Sequence, residues 1–509
     1  MRVLIWHGWL LEGSGSNIYT ARLAEVLAGQ GHDVALVCQE RHPERYPWIA
    51  AAGVVRDGRI EFEPAAVAPG PGRCVLLRPE IGPLLPTFVL DRYEGAEAKR
   101  FVDLSDEELD AYLDVNDRAL RAVAEWHGSE AVIASHAVPG AVVATRALGP
   151  GRHVAEIHGS DLEYAVRLQP RYQRLAAEGL RGAAAIACGS DEVARRCRRL
   201  VPGIRELVRI VPPGVDTSRF RLRTRREALT DAASRLEADA GSGEGRPRSL
   251  DDRVAQALSH RDPDELDRLA RTYDQAEPDA DAAARLRDLA GRTGPVVGYF
   301  GKLIPSKGPE LVPAGVRASH RSAHVLMVGF GDKREWLTAY VMALAAGDAE
   351  AIAWLAEKHG IAPEAATPDP IADAAAPGGS AARRRVPITF TGRLDHRYAP
   401  EALAAMSVLV VPSIVKEAFG MVVAEGAAAG ALPLVARHSG LAEVAAALET
   451  AVGQEGLFSF EPGVGSPSRI GAGIDTLLAL PPARRRRVRS DIHEFVRQHW
   501  SWDQTANAL

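Results

Sequence analysis

The chain has 509 residues, more than one ordinary hydrophobic core accommodates, which implies about two to four folding units. Its apolar fraction of 46% and charged fraction of 25% are those of a globular protein in water, and a net charge of -5 excludes a general attraction to nucleic acid or anionic membrane. The four cysteines (Cys38, Cys74, Cys188, Cys197) lack metal-ligand spacing and read as reduced, mostly buried thiols. The N-terminus passes straight into a strand-like run, without the apolar region of a signal peptide, and no apolar stretch is long enough to span a bilayer. A cytoplasmic location is expected.

The first elements alternate. Arg2 to Trp6 reads as a strand, a Gly/Ser loop follows through Asn17, Ile18 to about Ala28 has a helical pattern, and Asp33 to Val37 is the next strand. This is one βαβ unit of a parallel sheet. Val132 to Ala134, Val154 to Ile157, Ala184 to Cys188 and Val208 to Val211 are further strands. A second series comprises Val296 to Phe300, Val325 to Val328, Ile388 to Phe390, Val408 to Val411 and Leu432 to Val435. Two such series predict an α/β fold of two doubly wound lobes facing a cleft, with ligands at the carboxyl ends of the strands. Between them, about 221–292 reads as a helical insertion, a surface decoration first, with acceptor contact or oligomerisation as the alternatives. A second irregular stretch, about 367–386, is rich in Ala, Pro and Gly and reads as a mobile loop.

Three segments carry chemistry. In the first, Gly15 and Ser16 open the first helix, and His158-Gly159-Ser160-Asp161 follows a strand. A histidine there is more often a packed or capping residue than a reacting one, and Asp161 is placed to cap a following helix. In the second, Lys302 and Lys307 leave the strand Val296 to Phe300 through a glycine-bearing turn. An ammonium there suits a diphosphate and stabilises its charge as it departs. In the third, Pro412 to Glu425, a strand, a loop and a helix ending near Gly430 carry Glu417 and Glu425 eight residues apart. Eight helical residues rise about 12 Å, the reach from a sugar across a diphosphate to a ribose. Carboxylates accept hydrogen bonds from vicinal hydroxyls, and the intervening helix N-terminus suits phosphate. Taken alone, Glu425 reads equally as a solvated helix-face acid.

Together these segments, with Val211-Pro212-Pro213-Gly214-Val215-Asp216, Phe390-Thr391-Gly392-Arg393 and the ending Trp500-Ser501-Trp502, resemble the family-4 glycosyltransferases of the GT-B fold. The resemblance spans nearly the whole chain apart from the insertion and the mobile loop. It implies two Rossmann-like lobes: 1–212 on the acceptor side, completed by a C-terminal helix at about 486–509, and 213–485 on the donor side.

The resemblance also implies roles. Glu417 would hold donor-sugar hydroxyls and Glu425 the ribose. Lys302 and Lys307 would bind the diphosphate, with backbone N–H groups around Ala418, Phe419, Gly420 and Met421 assisting. Arg393 and Leu394 would meet the base, His158 the reaction centre, and Gly15 and Ser16 would line the cleft. His158, Lys307 and Glu417 are the expected catalytic set. Lys302 stands where the family usually has Arg, which keeps the charge but loses bidentate geometry.

By the same resemblance the reaction is a retaining hexosyl transfer from a nucleotide diphosphate sugar, UDP or GDP form, to a hydroxyl acceptor. No metal or cofactor is expected, because the proposed donor site lacks Asp-x-Asp spacing. Acceptor recognition falls to loops such as Arg41 to Trp48, Arg78 to Tyr93 and Tyr164 to Tyr172. The run Arg484 to Arg487 offers peripheral contact with anionic lipid, or simply a solvated helix end. Rival readings are a nucleotide-sugar epimerase of the same fold and an inactive nucleotide-sugar-binding protein.

Overall fold

The computed structural model describes residues 1–62, 70–89, 95–239, 244–359 and 386–509. The mobile loop expected at 367–386 lies, but for its last residue, outside the described residues. The chain forms two compact units, Met1–Gly214 with Trp500–Leu509, and Val215–His499.

The first unit is built on a nine-stranded sheet. Its strands are β1 (Arg2–Trp6), β2 (Asp33–Val37), β3 (Ile49–Arg56), β4 (Arg59–Phe62), β5 (Arg73–Pro79), β8 (Ala131–Ser135), β9 (Val154–Ile157), β10 (Ala185–Cys188) and β11 (Val208–Ile210). A small separate pair is made by β6 (Leu84–Thr87) and β7 (Glu97–Arg100). The sheet order is β11-β10-β9-β8-β1-β2-β5-β3-β4, parallel except at the β3–β4 hairpin. Asp57 and Gly58 both have positive φ there, as a two-residue hairpin turn matching strand twist requires. Val3 to Trp6 and all of β2 are buried, as expected of parallel strands covered on both faces. Connections leave β1 in one direction through β2 and in the other through β8, so the sheet's switch point lies between β1 and β8.

The last ten residues return to this unit. Trp502 packs edge-on against Tyr19 with ring centroids 5.1 Å apart, Thr505 Oγ1 donates to the Pro212 carbonyl at 2.9 Å, and Gly214 is bare where a Cβ would meet the Trp502 backbone. The preceding helix Pro482–His499 does not come with them. It packs in the second unit, where Arg489 Nε donates to the Gly430 carbonyl at 2.7 Å and His493 Nδ1 lies 2.6 Å from the Ala428 carbonyl. The expected completing helix at 486–509 is therefore corrected to Trp500–Leu509. The expected boundary ignored that Val488, Ile492 and Val496, spaced four apart, form a buried stripe needing a partner along the helix itself.

The second unit holds a six-stranded parallel sheet of β12 (Val296–Phe300), β13 (His324–Val328), β14 (Ile388–Phe390), β15 (Val408–Val411), β16 (Leu432–Ala436) and β17 (Ser459–Phe460). Its order, β14-β13-β12-β15-β16-β17, is the 3-2-1-4-5-6 arrangement of dinucleotide-binding sheets, with its switch point between β12 and β15.

Among its described residues the insertion forms four helices, Arg225–Ala238, Leu250–His260, Pro263–Leu269 and Ala282–Gly291. It is more than surface decoration. Arg246, 1% exposed at its side chain, makes a two-pronged contact with the fully buried Glu335 at 2.7 and 2.8 Å, and the Tyr273 hydroxyl donates to the same carboxylate at 2.8 Å. This buried network ties the insertion to the helix Arg334–Ala346.

Candidate active site

In the second unit, the loops after β12 and β15 meet at the switch point. Ile414 N donates to the Ser306 carbonyl at 2.9 Å, and Val415 N does so at 3.2 Å. Gly308, with φ +59, turns the first loop where a Cβ would sit 2.9 Å from the Pro412 carbonyl. This knitting brings Lys307 Nζ onto Glu417 Oε1. Ser413 Oγ donates to the same oxygen at 2.6 Å, and Glu417 N donates to Ser439 Oγ at 2.9 Å. His438 Nε2 lies 2.6 Å from the Ser413 carbonyl. Burial opposes the Glu417 charge, but the Lys307 ammonium and the Ser413 hydroxyl outweigh it and hold the carboxyl below its ordinary value. Glu417 is thus an ionised, held acceptor.

Glu425 sits on the helix Met421–Ala429 and is 6% exposed, so it is not a solvated helix-face acid. His396 Nε2 lies 2.9 Å from its Oε1. The helix starts at Gly420, whose φ of +91 needs glycine and where a Cβ would meet Leu441 Cδ2 at 2.5 Å. No side chain caps this end, and its first turn carries no acid, which leaves a positive dipole end suited to an anion. Ala418 and Phe419 lie in the preceding loop, where Gly440 is bare because a Cβ would overlap the Ala418 carbonyl.

Lys302, in the same loop as Lys307, and Arg393 both lie near Phe330. Lys302 Nζ stands 5.6 Å and the Arg393 guanidinium 5.3 Å from the centre of the half-buried Phe330 ring, just after β13. Leu394 is buried beside Arg393 in sequence. The expected second-unit residues therefore fall into a Lys307–Glu417 group at the switch point, a Glu425–His396 pair, and a Lys302–Phe330–Arg393 group.

In the first unit, His158 directly follows β9. Its Nε2 is 3.4 Å from the buried Glu156 carboxylate, and its ring lies 5.1 Å from that of Tyr19. Two histidines not anticipated join it. His7 follows β1 and His136 follows β8, with ring-centroid distances of 4.8 Å for His136–His158 and 6.3 Å for His7–His136. Burial, reinforced by the neighbouring His158, pushes His7 down to about 3 and His136 well below its ordinary value. Both are neutral rings at neutral pH. The available signal was the shared position, one residue past a parallel strand on either side of the switch point. Asp161 does not cap a helix with its side chain; its Oδ2 accepts from Ala137 N at 2.6 Å instead. Gly15 and Ser16 form the first turn of the helix Gly15–Gly29, capped by Ser14, and space around Gly15 is open.

Comparison with known proteins agrees with this architecture. Residues 13–219 match the model of Glycosyltransferase Family 4, and residues 382–492 match that of Glycosyl transferases group 1. No curated protein matches the sequence. Among solved structures, Anabaena HepE in complex with UDP and glucose is similar at a TM-score of 0.57 and 13% identity, over 100% of this chain and 98% of that one. A glycosyltransferase from Rickettsia africae is similar at 0.55 and 12% identity, over 100% and 96%. WaaG, a glycosyltransferase involved in lipopolysaccharide biosynthesis, is similar at 0.50 and 14%, over 99% and 98%. Likeness at such identities speaks to the fold, and the two family matches carry the rest. With its two parallel sheets and matches to both family models, the chain is a family-4-like glycosyltransferase of the GT-B type.

Proposed function

We propose that the protein transfers a hexose, with retention, from a nucleoside diphosphate sugar to a hydroxyl acceptor. The observation that carries this reading is the Lys307–Glu417 contact at the switch point of a 3-2-1-4-5-6 sheet. A fixed carboxylate there accepts from sugar hydroxyls, and the ammonium on it lies ready to take a share of diphosphate charge. The uncapped helix start at Gly420 to Met421 adds backbone donors, Glu425 takes the ribose, and the backbone at Arg393 and Leu394 meets the base. Lys302 adds charge on the diphosphate side, and His158 is the proposed reaction-centre histidine. Transfer proceeds without an enzyme nucleophile or metal, by positioning and leaving-group stabilisation.

The complexes of the Anabaena protein with UDP, glucose and UDP-glucose support a UDP-linked donor, and GDP is the alternative. Among the described residues no helix is long and apolar enough to cross a membrane, and the reaction is placed in the cytoplasm as part of the proposal.

The test is a thermal-shift screen of nucleotide sugars, followed by acceptor trials with the best donor. Release of nucleotide that requires acceptor and disappears in Lys307→Ala supports transfer. Interconversion of the donor without acceptor would instead identify an epimerase, and binding without any turnover an inactive binding protein.

A further inference from the structure

The insertion reaches the loop assigned above to the base. Its return segment, Ala276–Asp279, runs antiparallel to that loop and bridges Pro278 to Gly392, with Asp279 N donating to the Thr391 carbonyl at 2.8 Å. Gly392 has φ +69, and a Cβ there would lie 2.5 Å from Asp279 N and 2.6 Å from Asp279 Oδ1. No residue with a side chain allows this approach. Arg393 Nη1 points to the Ala276 carbonyl at 3.5 Å.

The segment is pinned from behind. Asp279 Oδ2 accepts from Arg334 at 2.9 Å and from Arg285 at 3.1 Å, and Arg334 stacks 3.9 Å over Phe390. Gly245 is bare against the Pro278 carbonyl, and Ala280 N donates to the Arg246 carbonyl at 3.1 Å, beside the buried Arg246–Glu335 contact. Pro278 and Asp279 are consequently buried while Glu277 is half-exposed. Burial and Asp274 push the Glu277 carboxyl up, and the guanidinium groups of Arg397 and Arg393 pull it back, so this carboxylate senses the base loop directly.

We propose that the segment Ala276–Asp279 is a wall of the nucleoside pocket and that Glu277 helps set which base is accepted. This rests on the donor reading above. An insertion without a counterpart in the family resemblance would then give the site a base-side edge of its own. A carboxylate accepts hydrogen bonds and, while ionised, donates none, so it discriminates among bases by where their edges carry N–H groups.

The experiment measures dissociation constants of UDP, GDP, ADP and inorganic pyrophosphate by calorimetry for wild type, Glu277→Ala, Glu277→Gln and Gly392→Ala. The expected result is a change of at least about fivefold in the ratios among the three nucleotides in the Glu277 variants, with pyrophosphate within twofold of wild type. Gly392→Ala, checked for folding by its melting curve, should weaken all three nucleotides and spare pyrophosphate. Wild-type nucleotide binding with ratios unchanged within twofold in both Glu277 variants overturns this inference alone. A wild type that binds neither nucleotide nor pyrophosphate overturns the donor reading and this inference with it.

Discussion

Lys307 and Glu417, 110 residues apart in sequence, share one direct ammonium–carboxylate contact, and Ser413 donates to the same carboxylate oxygen. The two residues are therefore one electrostatic unit, a charge held at a chosen point and offset by its neighbour. Lys307→Ala and Glu417→Gln should each lower kcat/KM by about 10²–10³-fold, the usual scale for removing one preorganised charge-stabilising group. The double variant should cost far less than the product of the two, because each single change already disables the unit. Steady-state kinetics on the three variants checks this, and strict multiplicativity would show that the residues act independently.

Stability should fall with acid in two windows. His7 and His136 have depressed pKa values in the folded state, so the native protein favours their neutral forms. Their contribution is complete above the ordinary value of 6.5, and falls with pH below it as the unfolded chain takes up protons that the native state refuses. Each refused proton costs about 1.4 kcal/mol per pH unit. Glu417, also depressed, contributes above its ordinary 4.5 and loses that contribution as pH falls through its lower folded value. Urea midpoints at pH 7, 6 and 5 should decline, and His136→Phe should flatten the slope over that range.

The insertion should be thermally coupled to the rest of the second unit. Arg246→Met strands the fully buried Glu335 carboxylate and should cost about 3–5 kcal/mol. Adding Glu335→Leu removes the stranded charge and should restore part of the loss, leaving the Tyr273 hydroxyl as the residual cost. Melting curves of the two variants decide it; a single variant as stable as wild type would mean the network carries no weight.

Gly440→Ala should damage the candidate site from outside it. The added methyl would overlap the Ala418 carbonyl, displacing the loop that carries Glu417, with a stability cost of about 1–3 kcal/mol. Activity should drop further than stability, since small misplacements of a charge-positioning group are expensive. Measuring kcat at a temperature well below the melting point separates the two effects.

The parallel strands were legible because their short apolar runs end at glycine, proline or a turn residue, as in Val408 to Val411 before Pro412. β3 was not, because Ile49–Arg56 is mostly alanine and glycine at its start, and its place was set by pairing with β5 rather than by its own residues. The spacing of Glu417 and Glu425 marks them as candidates, yet nothing in the sequence marks their contacts with Ser413 and His396. Those contacts depend on how separate loops meet across the sheet end, and no local pattern encodes that. His7 and His136 escaped for a related reason: each looks ordinary until the strand order places β1, β8 and β9 side by side. The stretch expected at about 486–509 straddles the two units because a helical pattern reveals an apolar face without revealing its partner.

The return of Trp500–Leu509 to the first unit also bears on how the protein comes into being. Thr505 and Pro212 are 293 residues apart, and the whole second unit is made between them. While a ribosome is still extending that second unit, the first must wait with Tyr19 and Gly214 lacking their indole neighbour. Early folding of the N-terminal half is then provisional, and a nascent chain halted anywhere from 215 to 499 would carry an apolar seam open to chaperones or to misassociation.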